Sequence, residues 1–495
     1  MGKLQSLAKD TAIYGLSSII GRFLNYLLVP LYTAKMSVES GNYGVVTNVY
    51  AWTAILLVLL TFGFETTFFR FASKENADIK RVFSMSMQVV GSLCALFLLA
   101  VFMFLPGISE TLGYAANPEF IGMMAVVVAL DALQAIPFGL LRLQKRPLKF
   151  AALKLLFIGM NIAMNLFAFV ALPYLAAEIP DTFARFYDPH NQAFYVFFIN
   201  LLCTSSITLF FIPELRMFRF TADKALLKSM LSYSWPLLLL GIAGILNLNA
   251  DKIIYTWLVP GKQGIVDLSI YGASVKVAAI MAMLMQAFRY AYEPFVFGNS
   301  KEKESKKLYA DAMKYFIVVA MIAFLCVVFY MDILRYIISP NYWEGLKVVP
   351  IVMAAEIFMG IYFNLSFWYK LNDETYWGAI FSFIGCAVLF AMNILLVPKY
   401  GYIACAWASF AGYFTAMTLS YIVGQKRNAI NYDLKSIFAY TALFAVVYTL
   451  SVVNPIENSI ARMACNTVLL IIFVAYFIKK DLPLKNIPII GKFFR

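Results

Sequence analysis

Eight ionisable residues, Arg22, Asp131, Lys154, Asp251, Lys252, Lys276, Lys314 and Glu356, stand inside stretches that are otherwise nearly all apolar. If those stretches lie in lipid, each charge costs about 2.5–3.5 kcal/mol on the insertion scale, so a retained one faces a bundle interior or a watery cavity. Five of the eight are basic, and a cavity lined by them attracts anions. Arg22 and Lys252 weigh most, because each lies eight residues before a Pro, Pro30 and Pro260. At a rise of 1.5 Å per residue that is roughly 12 Å deep, near the middle of a hydrocarbon core about 30 Å thick. Lys276 and Lys154 would complete a cationic lining. The alternative is local neutralisation, as of Lys252 by adjacent Asp251, although neighbours on a helix do not face one another. Lys154 sits early in its span and can instead snorkel to the interface; Lys314 is expected to snorkel.

Asp131 and Glu356 admit two readings. A buried carboxylate can carry H+ or Na+ and couple transport to a gradient, or it can pair with a nearby cation as a structural group. Glu65 and Glu293 close their spans near Arg70 and Arg289, where they make either gating salt bridges or surface pairs of small value.

Motifs of catalysis are missing. The sequence has no phosphate-binding G-x-x-x-x-G-K-[ST], no H-E-x-x-H, no paired-cysteine metal spacing and no nucleophile elbow. Its one histidine, His190, falls in a polar connection and reads as a solvated loop residue. We therefore expect a carrier, not an enzyme, with no cofactor or metal and with energy drawn from a gradient or the membrane potential.

The elements that must hold these charges are membrane helices. Apolar runs near the roughly 20 residues that cross a bilayer occur at 11–34, 43–64, 82–105, 119–141, 150–172, 193–213, 232–259, 267–288, 312–331, 348–369, 376–397, 401–424, 436–453 and 463–478. Of the 40 Lys and Arg, 28 fall in one alternating set of connections and tails and only seven in the other. Basic residues resist translocation, so the first set is cytoplasmic, and an even number of spans puts both termini inside. The net charge of +13 is then topological bias and attraction to anionic lipid, with no nucleic-acid partner. With 62% hydrophobic and 14% charged residues and only short connections, the sequence leaves no room for a separate soluble domain. The first apolar run is too long for a cleavable signal and should stay as a helix. All six cysteines fall within spans and read as packed thiols.

The chain also repeats itself. Arg22 and Leu28-Val29-Pro30 match Lys252 and Leu258-Val259-Pro260; Tyr43-Gly44, Glu65 and Met164-Asn165 match Tyr271-Gly272, Glu293 and Met392-Asn393. Asp131 and Glu356 fall in corresponding fourth helices after a small shift. A unit of six helices returns in the same orientation, so two pseudo-symmetric lobes are expected, 1–213 and 214–424, with two appended helices and a tail in 425–495. Gly15, Gly21 and Pro30 in the first helix and Pro236, Gly241 and Gly244 in the seventh are candidate bending points.

Several segments carry a family resemblance. Asp10-Thr11 through Gly21-Arg22, Leu28 to Tyr32 and Gly41-Asn42-Tyr43-Gly44 resemble the amino-terminal signature of polysaccharide (Wzx-type) flippases of the multidrug/oligosaccharidyl-lipid/polysaccharide exporter superfamily. Tyr233-Ser234-Trp235-Pro236, Asp251-Lys252 and Ile270-Tyr271-Gly272 are similar to that family's seventh and eighth helices, and Asn393 with Pro398 to Gly401 and Ala404 to Ala408 to its eleventh-to-twelfth turn. The resemblance runs over about the first 425 residues. It implies an all-α polytopic protein of the cell inner membrane with two six-helix lobes and a cationic cavity. Its implied activity is alternating-access movement of a polyprenyl-diphosphate-linked oligosaccharide to the outer leaflet, alongside membrane lipids and polysaccharide-assembly proteins. The second-lobe cation is Lys where relatives often carry Arg. A cation-coupled drug exporter of the same superfamily and a polytopic polymerase or ligase are the competing readings; the first calls for an acidic cavity and the second for a long outer loop.

Overall fold

A computed structural model of the chain describes residues 26–74, 77–299, 305–372 and 374–481, and for 290, 291, 293–299 and 305 the backbone only. Arg22 and the side chain of Glu293 therefore lie outside the described residues. The described chain is helical with no strand, and thirteen helices are long and apolar enough to cross a membrane. In order the main ones are α1 Leu28–Lys35, α2 Asn42–Thr61, α3 Phe64–Ala72, α4 Ile79–Met103, α5 Leu105–Thr111, α6 Pro118–Leu143, α7 Pro147–Leu166, α8 Gln192–Leu209, α9 Lys224–Leu258 and α10 Lys262–Asn299. They continue as α11 Ser305–Phe329, α12 Val349–Leu365, α13 Tyr376–Tyr400, α14 Tyr402–Arg427, α15 Leu434–Val453 and α16 Ser459–Asp481.

The helices outrun the apolar windows that announce them. The expected span 150–172 continues past α7 through a π-turn at Phe167–Ala171 to Glu178, and 232–259 begins eight residues earlier, at Lys224. Helical hydrogen bonding does not stop at the lipid boundary. It stops where a cap such as Asp223, whose carboxylate accepts from Ala225 N and Leu226 N, offers the first orphan amides a partner. Pro236 lies inside α9 and Pro137 inside α6, each without ending its helix.

Packing divides the chain into two compact units, one holding the described residues up to Ala273 with Leu389–Cys405, the other Ser274–Val388 with the described residues from Ala406 onward. In the first unit, Phe64, Phe68, Phe83, Ala132 and Leu140 are fully or almost fully buried and lock α3, α4 and α6 together. Helix α9, which the internal repeat groups with the second six, packs along α2 and α3 here. The reason is small-residue contact: Gly63 abuts Leu237 and the Ser234 carbonyl, Gly241 abuts Val58, and the buried Thr67 and Ser234 hydroxyls are 2.6 Å apart. Helix α10 comes closer still, since a Cβ on Gly44 would fall 2.0 Å from the Ile265 carbonyl oxygen and one on Gly272 2.5 Å from Thr47 Oγ1. Gly44 and Gly272 are repeat partners, each pressed against the other's helix.

In the second unit the last two helices are clamped to α11 at both ends. At one end Lys314 Nζ is 2.6 Å from Asp481, whose other oxygen takes the Tyr440 hydroxyl at 2.5 Å, and Asp433 lies 3.8 Å from the same ammonium. At the other, Arg462 Nε donates to Asp332 at 3.1 Å and Tyr330 and Thr467 hydroxyls meet at 2.8 Å. This corrects the snorkelling expected of Lys314. It is only 8% exposed, because the carboxylate at the end of α16 meets its charge inside the protein.

Candidate functional site

Asp251 and Lys252 sit side by side in the last two turns of α9, seven and six residues before its end at Leu258, and most of the site's polar chemistry gathers round them. Asp251 is 3% exposed and takes the Tyr271 hydroxyl at 2.5 Å, the Lys252 amide at 2.9 Å and the Lys252 ammonium at 3.1 Å. Lys252 Nζ also donates back to the Leu248 carbonyl at 2.9 Å and lies over the Tyr271 ring. From α2, Asn48 donates to the Lys252 carbonyl at 2.7 Å, and its own Oδ1 accepts from Tyr114 at 2.8 Å. Local neutralisation of Lys252 is thus what the structure shows. The four-carbon stem lets the ammonium fold back onto its neighbour, which the Cβ directions of adjacent helix residues do not suggest.

A second polar group lies among α2, α6, α7 and α8. Asp131 faces Thr204 and is within electrostatic reach of Lys154. Tyr50 accepts from Asn200 Nδ2 at 3.0 Å, and Gln134 donates to the Thr204 carbonyl at 3.0 Å and to the Thr208 hydroxyl at 2.8 Å. Lys154 lies 4.1 Å over the Phe138 ring and is within electrostatic reach of Asp131 and of Glu65 and Arg142, which are paired with each other. Glu65 therefore pairs with Arg142, not with the Arg70 that follows it on α3; Arg70 instead stacks at 4.0 Å on Tyr233. The i to i+5 spacing of Glu65 and Arg70 turns the two side chains apart, whereas Arg142 arrives from the end of α6.

Lys276 is exposed and Glu356 half-buried, both in the second unit. Arg289 lies 4.4 Å over Phe363. Asn165 and Asn393, repeat partners, are both fully buried and each donates to the carbonyl four residues before it. Sequence reasoning missed Asn48, Tyr114 and the Tyr271 hydroxyl as partners of the α9 pair. Tyr271 had a signal, its place in the repeated Tyr-Gly step; Asn48 was one polar residue in a span; Tyr114 had none. No group of three or more His, Cys, Asp or Glu with metal-holding geometry occurs among the described residues, and the six cysteines are free.

Residues 7–291, more than half of the chain, match the family described as polysaccharide biosynthesis protein. The chain belongs to that family. No curated protein matches it by sequence. Among solved structures, this family member is similar to a lipid II flippase, MurJ, in an inward closed conformation, with a TM-score of 0.69 at 14% identity over 94% of this chain and 98% of that one. It is also similar to an inward-facing multidrug resistance MATE transporter of the MOP superfamily, with a TM-score of 0.60 at 13% identity over 82% and 94%. A MOP superfamily transporter from Pyrococcus furiosus matches with a TM-score of 0.51 at 12% identity over 85% and 95%. At these identities the likeness is one of fold: an all-α polytopic membrane protein built as MOP transporters are.

Proposed function

We propose that the chain moves a polyprenyl-diphosphate-linked oligosaccharide from the inner to the outer leaflet of the cytoplasmic membrane for surface polysaccharide assembly. The observation that carries this reading is membership of the polysaccharide biosynthesis family in a chain whose fold matches a lipid II flippase over nearly its whole length. A diphosphate is costly to strip of water, and cationic or hydrogen-bonding groups at mid-depth offset that cost while the polyprenyl tail stays in lipid. Arg22, Lys252, Lys276 and Lys154 are the groups we assign to it, in two like-oriented lobes, 1–213 and 214–424, that alternate access. Asp251 orients the Lys252 ammonium until a phosphate competes for it. Asp131 and Glu356 are the carboxylates assigned to H+ or Na+ coupling, and Glu65 and Glu293 to gating. The basic connections and both termini face the cytoplasm. The chain acts as a carrier rather than an enzyme.

The test is translocation in proteoliposomes. Arg22→Ala and Lys252→Ala should each lower the rate of lipid-linked oligosaccharide transfer, per molecule of inserted protein, at least tenfold. Wild-type rates in both variants would contradict the assignment. Cation-coupled drug export, the reading favoured by the MATE-like fold, would appear as transport of cationic dyes with no transfer of the lipid.

A further inference from the structure

The first unit carries an open cavity of about 620 Å³ whose walls combine two lysines with aromatic and aliphatic side chains. Lys224 and Lys228 stand one turn apart on α9, Leu231 and Trp235 continue the same stripe, and Phe62 closes the far side. Phe62 reaches this position through an unusual backbone. Both it and Gly63 have left-handed φ, 49° and 70°, between α2 and α3, a conformation a bulky side chain rarely adopts. The break sets the Phe62 ring 6.1 Å from that of Trp235, which is 55% exposed.

Some of the charges at this end of the unit are neutralised, and the two lysines of the cavity are not among them. At the same end of the unit Arg81 is bound to Asp223, Lys149 to Glu214 and Arg142 to Glu65. Neither Lys224 nor Lys228 has a carboxylate partner among the described residues, and the nearest acid along the chain, Asp223, is occupied as helix cap and by Arg81. Two exposed lysines thus stand beside apolar side chains at the start of a helix long and apolar enough to cross a membrane.

We infer that this cavity binds the headgroup of an anionic phospholipid, its phosphate between Lys224 and Lys228 and its acyl chains against Phe62, Leu231 and Trp235. Charge complementarity selects the anionic lipid; the apolar floor selects a lipid over a soluble anion. The inference does not rest on the transport reading, and a chain that moved no glycolipid would still bind here.

Trp235 reports occupancy directly. In nanodiscs holding the full chain, the Trp235 component of fluorescence, taken as wild type minus Trp235→Phe, should be quenched by brominated phosphatidylglycerol at a mole fraction roughly ten- to thirty-fold below that needed for brominated phosphatidylcholine, as two surface lysines imply. Lys224→Gln/Lys228→Gln should abolish the preference while phosphatidylcholine still quenches, and raising salt to about 0.5 M should weaken it in the wild-type chain without any substitution. Equal quenching by the two lipids, or a preference that survives both the double variant and salt, would overturn the proposal. So would relief of quenching by millimolar inorganic phosphate, which would assign the lysines to a soluble anion.

Discussion

Asp251 holds three donors at once, and two belong to its neighbour Lys252, whose side chain is 15% exposed. Removing one member of such a pair strands the other in a poorly solvated site, whereas removing both leaves only lost packing. Asp251→Ala should therefore lower stability in detergent by about 3 kcal/mol, and Asp251→Ala/Lys252→Ala should recover most of it. If the pair also receives a phosphate, the recovered double variant still fails to move the glycolipid. A double variant as unstable as the single, or one that is both stable and fully active, would show that the pair does neither job. At this scale the sequence was half legible. Charges inside apolar runs stand out on any reading of the chain, but the partner of each is set by side-chain reach and by helices far away in sequence. Glu65 was close to Arg70 along the chain and to Arg142 in space; Lys314 had Asp481, 167 positions away, to which no local pattern pointed.

Helices were the most readable elements, since apolar length alone places them, and their ends the least, since caps and π-turns set those. Contacts between helices were partly foreshadowed: the repeated Tyr-Gly step supplies both close approaches of α2 to α10. A methyl group at Gly44 would overlap a backbone oxygen that cannot turn away. Gly44→Ala should cost about 1–3 kcal/mol, while Gly244→Ala, with no atom in range of the added Cβ, should stay within about 0.5 kcal/mol of wild type in the same thermal assay. Equal effects would mean that helix propensity, not close approach, governs both sites. The α11 clamp gives a second test at this scale. Asp481→Asn weakens the hold on Lys314 and Tyr440, so hydrogen exchange should rise in α15 and α16 and leave α2 to α8 unchanged; a uniform rise would mean that the clamp supports the whole fold instead.

At the scale of the molecule, hydropathy announced a polytopic membrane protein, and the ordered motifs announced its family. The compact units, by contrast, do not follow the repeat. Helix α9 belongs by sequence to the second six and by contact to the first unit, because glycine and serine at Gly63, Ser234 and Gly241 allow it to lie against α2 and α3. The expected repeat pairs residues by sequence; packing decides which of them touch. Whether the chain performs the proposed work is decided by one measurement. In proteoliposomes of the purified chain carrying a polyprenyl-diphosphate-linked oligosaccharide in the inner leaflet, the rate at which the glycan becomes accessible outside should exceed that of protein-free vesicles at least tenfold, and a matched polyprenyl glycoside lacking the diphosphate should not compete. A rate equal to that of empty vesicles, or equal competition by the phosphate-free lipid, would contradict the account.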